Sequence, residues 1–310
     1  MPSILDRIRH WLRPDFGKRL GFIVVNCTKN TFIRRSLRKF QITNQPVRNT
    51  VRQIDESVAI VVPCYNHGQF LNATVASLSA QTYRPFEVIF VDDCSTDNSF
   101  EILSHLCAEL PTDIYGQVLR TPVNSGQAAA INMGIRATRA SVIMTLDADD
   151  YLMHDALSVG LALLDCHQNI YLLGAAHIPF SGDGPPPADA HLRISEICPD
   201  ILSIPVTRYE PSTVLHVKDQ NDINMTHSSM IFFRTAWEAV GGYCAKRLRR
   251  VVIFTDRDFQ LRVGSIFPIG VSKMVPFVYY REDSSVQFDG SGDKAALWSL
   301  QSLLSERRDR

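Results

Sequence analysis

The sequence predicts an α/β protein in which helices flank a mostly parallel central sheet. Three observations support this fold class: short apolar runs, amphipathic segments between those runs, and polar residues directly after them. The run 58–62 (VAIVV) is apolar throughout, which is typical of a strand that is buried on both faces. Because strand and helix patterns alternate at short spacing, the strands are expected to pair in parallel.

Strand and helix patterns follow one another in pairs along the first half of the chain. Each strand is predicted from an apolar run, and each helix from apolar residues that recur every three or four positions. The order is strand 58–62, helix 69–80, strand 87–91, helix 99–110, strand 118–119, helix 128–137, strand 142–146 and helix 154–167. Ligands of such sheets bind beyond the carboxyl ends of the strands, so the loops after the strands are the candidate site.

The second half has a weaker pattern. Segment 181–189 (SGDGPPPAD) predicts a loop, because glycine and proline interrupt regular structure. Helix patterns return at 235–240 and 256–263, a strand pattern at 276–280, and a short amphipathic helix pattern at 294–304. No internal repeat accompanies these elements, which argues against a repeat architecture.

Basic residues are concentrated at the start of the chain. Residues 1–52 contain 12 Lys or Arg and 2 Asp or Glu, whereas residues 53–310 contain 20 and 30. Segments 3–13 and 31–40 are basic amphipathic helix patterns, which can lie on an anionic membrane surface. The alternative is that they pack on the body and direct their arginines to water. Nucleic acid is not an expected partner, because the body is acidic and shows no alternation of aromatic and basic residues.

The cysteines and the apolar runs indicate the compartment. The seven cysteines are scattered without a CxxC pair or the His/Cys spacing of a zinc site, which favours a reducing compartment. No apolar run approaches the roughly 20 residues of a membrane-spanning helix, and the run 20–25 lacks the cleavage site of a secretory signal. A cytoplasmic protein is expected, with residues 1–52 peripheral at the inner face of the cytoplasmic membrane.

Three acidic residues follow the fourth predicted strand. Asp147, Asp149 and Asp150 stand within the segment DADD, and their charges repel one another unless a cation or hydrogen-bond donors compensate. Mg²⁺ and Mn²⁺ prefer oxygen ligands and take only one or two protein carboxylates when phosphates supply the rest. Helix capping is the alternative, since aspartate is common at helix starts. The position at a strand end favours a site for a metal and a diphosphate.

Two more loops at the same predicted edge carry polar residues. Asp92 and Asp93 end the second strand, and carboxylates there can accept hydrogen bonds from a base N–H or from ribose hydroxyls. Ser95 or Asp97 is expected to cap the next helix. Segment 124–126 (NSG) precedes a helix of small residues, and its glycine permits close approach of a ligand. A plain strand-to-helix turn is the alternative for that segment.

These motifs, in this order, resemble the catalytic domain of glycosyltransferase family 2. The resemblance is close over 58–170 and looser to about 282. Each motif alone has low specificity, whereas the ordered set is typical of the family. The motifs are Val-Val-Pro63-Cys-Tyr65-Asn66, Val91-Asp92-Asp93-x-Ser95-x-Asp97, Asn124-x-Gly126 with Asn132-x-Gly134, and Leu146-Asp147-Ala-Asp149-Asp150.

The resemblance implies a GT-A fold, which is a Rossmann-like α/β fold with a mostly parallel central sheet. It implies a nucleotide-sugar-binding half at 58–180 and an acceptor-binding half at 181–282 of the same domain. A basic, largely helical extension at 1–57 and a helical tail at 283–310 would flank that domain.

The resemblance also implies roles for individual residues. The implied nucleotide-binding residues are Pro63, Tyr65, Asn66, Asp92, Asp93, Asn124, Gly126 and Asp147. Asp149 matches the acid that binds the divalent metal, Mg²⁺ or Mn²⁺, on the donor diphosphate. Asp150, His227 and Arg281 are candidate contacts for the acceptor or for a phosphate. For His227, an ordinary interior or surface histidine is the alternative.

The acceptor-side motif departs from the family pattern. Segment 255–258 (TDRD) resembles the usual Glu-Asp-x-Asp, and Asp256 falls on the catalytic base. Thr255 stands where glutamate is more usual, so one carboxylate is present where two are common. Asp258 is interpreted as a helix N-terminal acid that interacts with the helix dipole. Ile131 stands where the family has an arginine in the third helix.

The implied activity is hexosyltransferase-like, with inversion by a single displacement. The implied donor is a nucleotide-diphosphate sugar, most commonly a UDP-sugar. The implied acceptor is a saccharide or lipid-linked hydroxyl, as in polysaccharide or glycolipid synthesis. Two alternatives stay open. One is a non-catalytic nucleotide-sugar-binding scaffold, which Thr255 favours. The other is a metal-dependent phosphatase with Asp147 as nucleophile and Asp149 as acid, although such motifs usually lie on the first strand.

Overall fold

The computed structural model describes residues 57–182, 184–185, 193–211, 225–245 and 255–282. Nearly all of the expected N-terminal extension (1–57) lies outside these residues, as do the expected tail (283–310) and its helix at 294–304. No helix within those ranges is both long and apolar enough to cross a bilayer.

Strands and helices alternate through the first half as the sequence predicts. The strands are β1 (Val58–Cys64), β2 (Phe86–Asp92), β3 (Ile114–Arg120), β4 (Val142–Thr145), β5 (Tyr151–Leu152), β6 (Leu172–Phe180), β7 (Thr207–Tyr209), β8 (Met230–Phe233) and β9 (Ile269–Arg281). The helices are α1 (Leu71–Ser79), α2 (Ser99–Ala108), α3 (Gln127–Ala137), α4 (Ala156–Cys166), α5 (Ile194–Ile197), α6 (Arg234–Val240) and α7 (Thr255–Gly264), with 3-10 turns at Ile201–Ser203 and His227–Ser229.

The strands of the described ranges form a single sheet in the order β3-β2-β1-β4-β8-β6-β9-β5, and β7 also pairs with β9. β1 pairs in parallel with β2 and β4, and β2 pairs in parallel with β3. The predicted parallel arrangement of the first four strands is therefore confirmed. On the other side of the sheet, β8 is antiparallel to β4 and β6, while β6 and β9 are parallel.

Some strands differ from the sequence expectation for identifiable reasons. β3 begins at Ile114 rather than at residue 118, because residues 115–117 are exposed on the outermost strand and show no apolar run. β8 (MIFF) is fully buried, and so short an apolar run cannot be distinguished from a buried helix by periodicity. β9 begins before residue 276 because the exposed Lys273 and Met274 interrupt its apolar pattern.

Two hydrophobic clusters cover the two faces of the sheet. On one face, residues of α1, α2 and α4 join Ile60 and Val62 of β1. On the other face, residues of α3, α6 and α7 join Ala59 and Val61. Because both faces are covered, every residue of β1 is buried, which explains the continuous apolar run in the sequence.

A glycine lets α3 lie close against the sheet. A Cβ atom at Gly134 would stand 2.5 Å from Cγ1 of Val61 and 3.1 Å from Cγ2 of Val91. A larger residue would overpack this contact and force the helix away from the strands. The glycine therefore sets the distance between α3 and the ends of β1 and β2.

Asn132 ties α3 to the turn that follows α6. Its Oδ1 accepts hydrogen bonds from Nε1 of Trp237 and from the backbone N of Tyr243, both at 2.9 Å. Its Nδ2 donates to the carbonyl oxygen of Tyr243 at 2.8 Å. Since Asn132 is buried, these bonds satisfy an amide that would otherwise be costly to enclose. The motif Asn132-x-Gly134 thus serves packing between the two halves of the sequence.

Candidate functional site

The ends of β1, β2 and β3 lie side by side, as parallel pairing requires. Cys64 at the end of β1 is opposite Asp92 at the end of β2, and Asp92 is opposite Arg120 at the end of β3. Pro63 is buried within β1, and Tyr65 follows it half-buried at the edge. These strand ends and the N-terminus of α3 border the candidate site.

Asn66 shapes the loop after β1. Its backbone is in the left-handed region, with φ 56°, which asparagine tolerates better than most residues. Its Oδ1 accepts hydrogen bonds from the backbone N of Thr96 at 2.8 Å and from Oγ1 of Thr96 at 3.2 Å. The side chain therefore joins the loop after β1 to the loop after β2.

Asp92 is a fully buried carboxylate with one unsatisfied oxygen. Its Oδ2 lies 3.0 Å from Nε of Arg120 and accepts a hydrogen bond from the backbone N of Ser95 at 3.1 Å. Its Oδ1 is buried and has no hydrogen-bond partner in the part of the chain that the structure describes. A buried acceptor without a partner costs free energy, so this oxygen is suited to a donor on a bound ligand.

Arg120 is a functional candidate that the sequence motifs did not single out. Its side chain is 40% exposed, its guanidinium lies 4.7 Å from the ring centroid of Phe100, and its Nη2 donates to the carbonyl oxygen of Ser95. The parallel register opposite Asp92 was the signal that could have identified it.

Asp93 braces the loop that leads into α3. Its carboxylate accepts hydrogen bonds from Oγ1 of Thr121 at 2.7 Å, from N of Ser125 at 2.9 Å and from N of Gly126 at 2.6 Å. Gly126 has φ +87° and open space where a Cβ would lie, and Asn124 beside it is exposed. The loop thus presents backbone and the Asn124 side chain to the space beyond the strand ends.

Asp97 lies one residue before Asn98, the N-cap of α2, and binds the first residue of the helix. Its Oδ1 accepts hydrogen bonds from N and Oγ of Ser99 at 3.0 and 2.6 Å. Burial alone would raise the pKa of Asp97, but these bonds and one from Gly68 hold the pKa below its usual value. Asp97 is therefore assigned to local structure.

Asp147 begins the acid turn, which we define as residues 147–150. It is half-buried, and its Oδ1 accepts a hydrogen bond from Nε2 of Gln127 at 2.7 Å. Burial raises the pKa of Asp147 to about 6, the nearby His227 opposes this rise, and the carboxylates of Asp149 and Asp256 add to it. These four charged or ionisable groups therefore interact in one small region.

Asp150 fixes the shape of the acid turn. It is fully buried, its Oδ2 accepts a hydrogen bond from Oγ of Ser228 at 2.5 Å, and its Oδ1 accepts one from N of Arg281 at 2.9 Å. Burial raises its pKa well above the usual value, and Asp149 and Asp147 raise it further. Protein donors hold both oxygens, which favours a structural role over the acceptor or phosphate contact that the sequence suggested.

Arg281 is buried behind the acid turn. Only 1% of the residue is exposed. Its Nη2 donates to Oη of Tyr151 and to the carbonyl oxygen of Gly184, both at 2.6 Å, and its guanidinium lies 4.4 Å from the ring centroid of Phe70 and 4.5 Å from that of Phe180. This enclosure favours a role in holding the turn, and Nη1 is buried without a hydrogen-bond partner among the residues that the structure describes.

Asp149 lies next to His67, a residue that is not part of the sequence motifs described above. Its residue is 6% exposed, and its Oδ1 is 4.0 Å from Nδ1 of His67. Nε2 of His67 is buried without a hydrogen-bond partner among the residues placed in the structure. Within the same ranges, no group of three His, Cys, Asp or Glu side chains is arranged to enclose a metal ion.

Asp256 and Asp258 have different environments at the start of α7. Asp256 is half-buried, and its charge acts on Asp147. Asp258 is buried, and its Oδ2 lies 2.6 Å from Nη2 of Arg262. Arg262 also donates to the carbonyl oxygens of Val240 and Gly242 at 3.0 and 2.8 Å. Asp258 therefore helps to dock α7 on α6, whereas Asp256 remains the catalytic candidate.

His227 connects β4 with α7. It is 6% exposed, its carbonyl oxygen accepts a hydrogen bond from Oγ1 of Thr145 at 2.5 Å, and its Nε2 lies 3.5 Å from Oγ1 of Thr255. Thr255, which the resemblance places at a position where glutamate is usual, therefore contacts His227 through its hydroxyl. Ser228 donates to Asp150 and was missed by the sequence motifs, although it directly follows His227.

Comparison with known proteins identifies related sequences. A family model described as Glycosyl transferase family 2 matches residues 59–241. An uncharacterized glycosyltransferase of Haemophilus influenzae is 36% identical over 100 residues, which cover 32% of this chain and 39% of that protein. Glycosyltransferase GlyG of Streptococcus pneumoniae is 38% identical over 104 residues, which cover 34% of each chain.

A more narrowly named relative has a similar overlap. The undecaprenyl-phosphate 4-deoxy-4-formamido-L-arabinose transferase of Pseudomonas fluorescens is 38% identical over 96 residues, which cover 30% of this chain and 27% of that protein. The chain therefore spans between 27% and 39% of the length of these three relatives.

Solved structures share the fold at low sequence identity. S. aureus TarS in complex with UDP superposes with a TM-score of 0.57 at 17% identity, covering 80% of this chain and 64% of that one. The TarS complex with UDP-GlcNAc gives a TM-score of 0.58 at 16% identity, covering 80% and 66%. This similarity, together with the sheet and its flanking helices, confirms the predicted GT-A fold.

Proposed function

The chain belongs to glycosyltransferase family 2, and on that basis we propose that it transfers a sugar from a nucleotide-diphosphate sugar to an acceptor hydroxyl. The observation that supports this most directly is that Asp92 and the acid turn follow parallel strands at the same edge of the sheet, with Asp256 close enough to act on Asp147. UDP and UDP-GlcNAc are named as ligands of the TarS structures, which supports a nucleotide-sugar donor.

Asp92 is the residue proposed to bind the nucleobase. Its unpartnered Oδ1 can accept a hydrogen bond from a ring N–H, such as the imide N–H of uracil. Arg120 is partly exposed and carries further N–H donors that suit a base carbonyl. Pro63 and Tyr65 lie at the neighbouring end of β1 and complete the base site in this proposal. A UDP-sugar is therefore the proposed donor.

Asp149 is the residue proposed to hold Mg²⁺ or Mn²⁺ on the donor diphosphate. Its carboxylate is a suitable hard oxygen ligand, and the raised pKa values of Asp147 and Asp150 reflect burial and negative charge that a cation would compensate. Diphosphate and water would supply the other ligands, which is usual for Mg²⁺. When bound, the metal neutralises charge on the leaving nucleoside diphosphate.

Asp147 and the loop 124–126 are proposed to complete the donor site. The hydrogen bond from Gln127 holds the Asp147 carboxylate, leaving its other oxygen to accept from a ribose or sugar hydroxyl. Gly126 leaves open space beside the first turn of α3. The N-terminus of this helix favours negative charge, which suits a diphosphate.

Asp256 is proposed as the general base. It accepts the proton of the acceptor hydroxyl while the hydroxyl oxygen attacks the anomeric carbon. The bond from that carbon to the diphosphate breaks as the new bond forms on the opposite face, so the configuration inverts. Thr255 supplies no second carboxylate here, and this is the feature that favours a non-catalytic scaffold as the alternative.

A donor screen tests the proposal. Calorimetry with UDP, GDP, CDP and ADP, each with Mn²⁺ and then with a chelator, is expected to show binding of UDP that the chelator weakens. Release of nucleotide from the matching nucleotide-sugar then measures turnover. Binding without turnover in the presence of saccharide acceptors supports the scaffold instead, and no binding to any nucleotide contradicts both readings.

The acceptor and the location of the protein are part of the same proposal. We propose a saccharide or lipid-linked acceptor in polysaccharide or glycolipid synthesis, which the name of the Pseudomonas relative supports. We also propose that the basic residues in 1–52 bring the enzyme to the inner face of the cytoplasmic membrane, because each basic residue near an anionic surface adds about 1 kcal/mol of attraction.

Vesicle sedimentation checks the membrane proposal. Replacing Arg34, Arg35 and Arg38 by glutamate in the full chain is expected to reduce the fraction that sediments with anionic phospholipid vesicles. Neutral phosphatidylcholine vesicles are the control, since they should bind both proteins weakly. Equal partitioning of the two proteins onto anionic vesicles at low salt would contradict this role for the basic segment.

A further inference from the structure

Tyr280 and His177 form an aromatic pair near the acid turn that none of the roles above uses. Their ring centroids are 5.1 Å apart, with the rings tilted by 59°. Tyr280 is half-buried on β9, and His177 is exposed on the neighbouring strand β6. We propose that Tyr280, backed by His177, is the platform on which an acceptor saccharide rests, an inference that depends on the proposed function.

The strand register directs Tyr280 away from the buried Arg281. Phe180 is aligned with Arg281 across β6 and β9, and the rings of Phe180 and Tyr279 are in contact, so these residues share one face. Because side chains alternate along a strand, Tyr280 lies on the opposite face, where His177 contacts it. This face opens to solvent at His177.

The backbone places this platform directly beside the acid turn. The N atom of Arg281 donates to Oδ1 of Asp150 at 2.9 Å, so the residue next to Tyr280 is in hydrogen-bond contact with the turn. Burial raises the pKa of Tyr280, and the carboxylates of the acid turn and of Asp256 raise it further. The phenol is therefore neutral and lies within electrostatic reach of the proposed base.

These surroundings favour a neutral saccharide over a phosphate as the group that rests on Tyr280. A phosphate requires cationic donors, whereas the charges that act most strongly on Tyr280 are the carboxylates of the acid turn and of Asp256. A sugar presents C–H groups that pack on an aromatic face and hydroxyls that carboxylates can accept from. Stacking there would orient a hydroxyl toward the acids, which is the requirement for attack on the donor.

Substitutions at Tyr280 separate ring stacking from other roles. The assay measures transfer from the nucleotide-sugar that the donor screen selects to a panel of p-nitrophenyl pyranosides. Tyr280→Phe keeps the ring and is expected to keep the acceptor KM. Tyr280→Leu removes the ring and is expected to raise the acceptor KM about tenfold, the order of magnitude of a lost aromatic contact. Nucleotide affinity and donor hydrolysis by water should stay unchanged in both.

Two further variants make the test decisive. Tyr115→Leu is the matched control, because Tyr115 is 62% exposed on β3, at the far end of the sheet from β9. His177→Ala changes an exposed residue and should raise the acceptor KM about threefold through loss of the ring contact. If Tyr280→Leu does not fold, the acceptor KM of His177→Ala becomes the deciding measurement. An acceptor KM equal to that of the wild type would then contradict the platform.

Several results would overturn the inference in distinguishable ways. If the acceptor KM of Tyr280→Leu is unchanged, the platform is contradicted. If Tyr280→Phe raises the acceptor KM as much as Tyr280→Leu does, the effect belongs to the hydroxyl group and not to the ring. Donor binding and hydrolysis without transfer to any pyranoside reject a saccharide at this position while leaving the donor site intact. Failure of the wild-type protein to bind any nucleotide rejects the proposed function itself, and the platform with it.

Discussion

Replacing Asp256 by asparagine is expected to lower the rate of sugar transfer by about 10²–10⁴-fold, which is the usual contribution of a general base. Asparagine keeps the size of the side chain and cannot accept the proton of the acceptor hydroxyl. Nucleotide affinity should not change, because Asp256 is proposed to touch the acceptor rather than the nucleotide. Initial rates of nucleotide release in the presence of acceptor, with calorimetry of nucleotide binding, measure the two effects separately.

Asp258→Asn provides the comparison on the same helix. Asp258 is buried and paired with Arg262, and breaking a buried ion pair by removing one partner costs about 3–5 kcal/mol. This variant should therefore lower the free energy of unfolding, measured by denaturant titration, whereas Asp256→Asn should leave it nearly unchanged. If the Asp256→Asn enzyme retains more than a tenth of the wild-type transfer rate, Asp256 is not the general base.

Removing the Asp149 carboxylate is expected to abolish metal-dependent nucleotide binding. Asp149→Ala deletes the one carboxylate proposed to ligate the metal, so the affinity for UDP with Mn²⁺ should fall about 100-fold. Loss of a residue that only hydrogen-bonds to a metal ligand already costs about 10–100-fold in metal affinity, and a ligand itself should cost at least as much. With a chelator present, wild type and variant should bind UDP equally weakly. Calorimetric titration of UDP with and without Mn²⁺ measures the difference.

Asp165→Ala is the matched control for this variant. Asp165 is exposed near the end of α4, so its loss changes the net charge by the same amount without altering the acid turn. Its affinity for UDP with Mn²⁺ should equal that of the wild type. If Asp149→Ala also retains wild-type affinity, the proposed metal site is in the wrong place.

The strands that could be predicted from the sequence are those that are buried on both faces. β1 is covered on both faces, so its apolar run is continuous, and the parallel pairing of the first four strands followed from alternation with helices. β3 was predicted too short because its edge position leaves residues 115–117 exposed. The place of β8 in the sheet depends on contacts with β4 and β6 that local pattern does not contain.

For the site residues too, one property could be predicted from the sequence and another could not. Their location at strand ends follows from the sequence, but their individual bonding depends on neighbours that are distant along the chain. Asp92 and Asp93 are adjacent, yet one keeps an unpartnered oxygen while the other is fully engaged by the loop before α3. Asp150 is held by Ser228 and by the backbone N of Arg281, whereas Asp149 lies 4.0 Å from Nδ1 of His67, and neither contact follows from the local sequence pattern.

The position of β8 between β4 and β6 has a consequence for how the protein is made. β4 (Val142–Thr145) and β6 (Leu172–Phe180) leave the ribosome before Met230–Phe233, which must later insert between them. Until then, both emerging strands have an unpaired apolar edge, and closing such a distant pairing is slow. A nascent chain from which β8 has not yet emerged is therefore open to aggregation, and chaperone capture during translation would be concentrated in that interval.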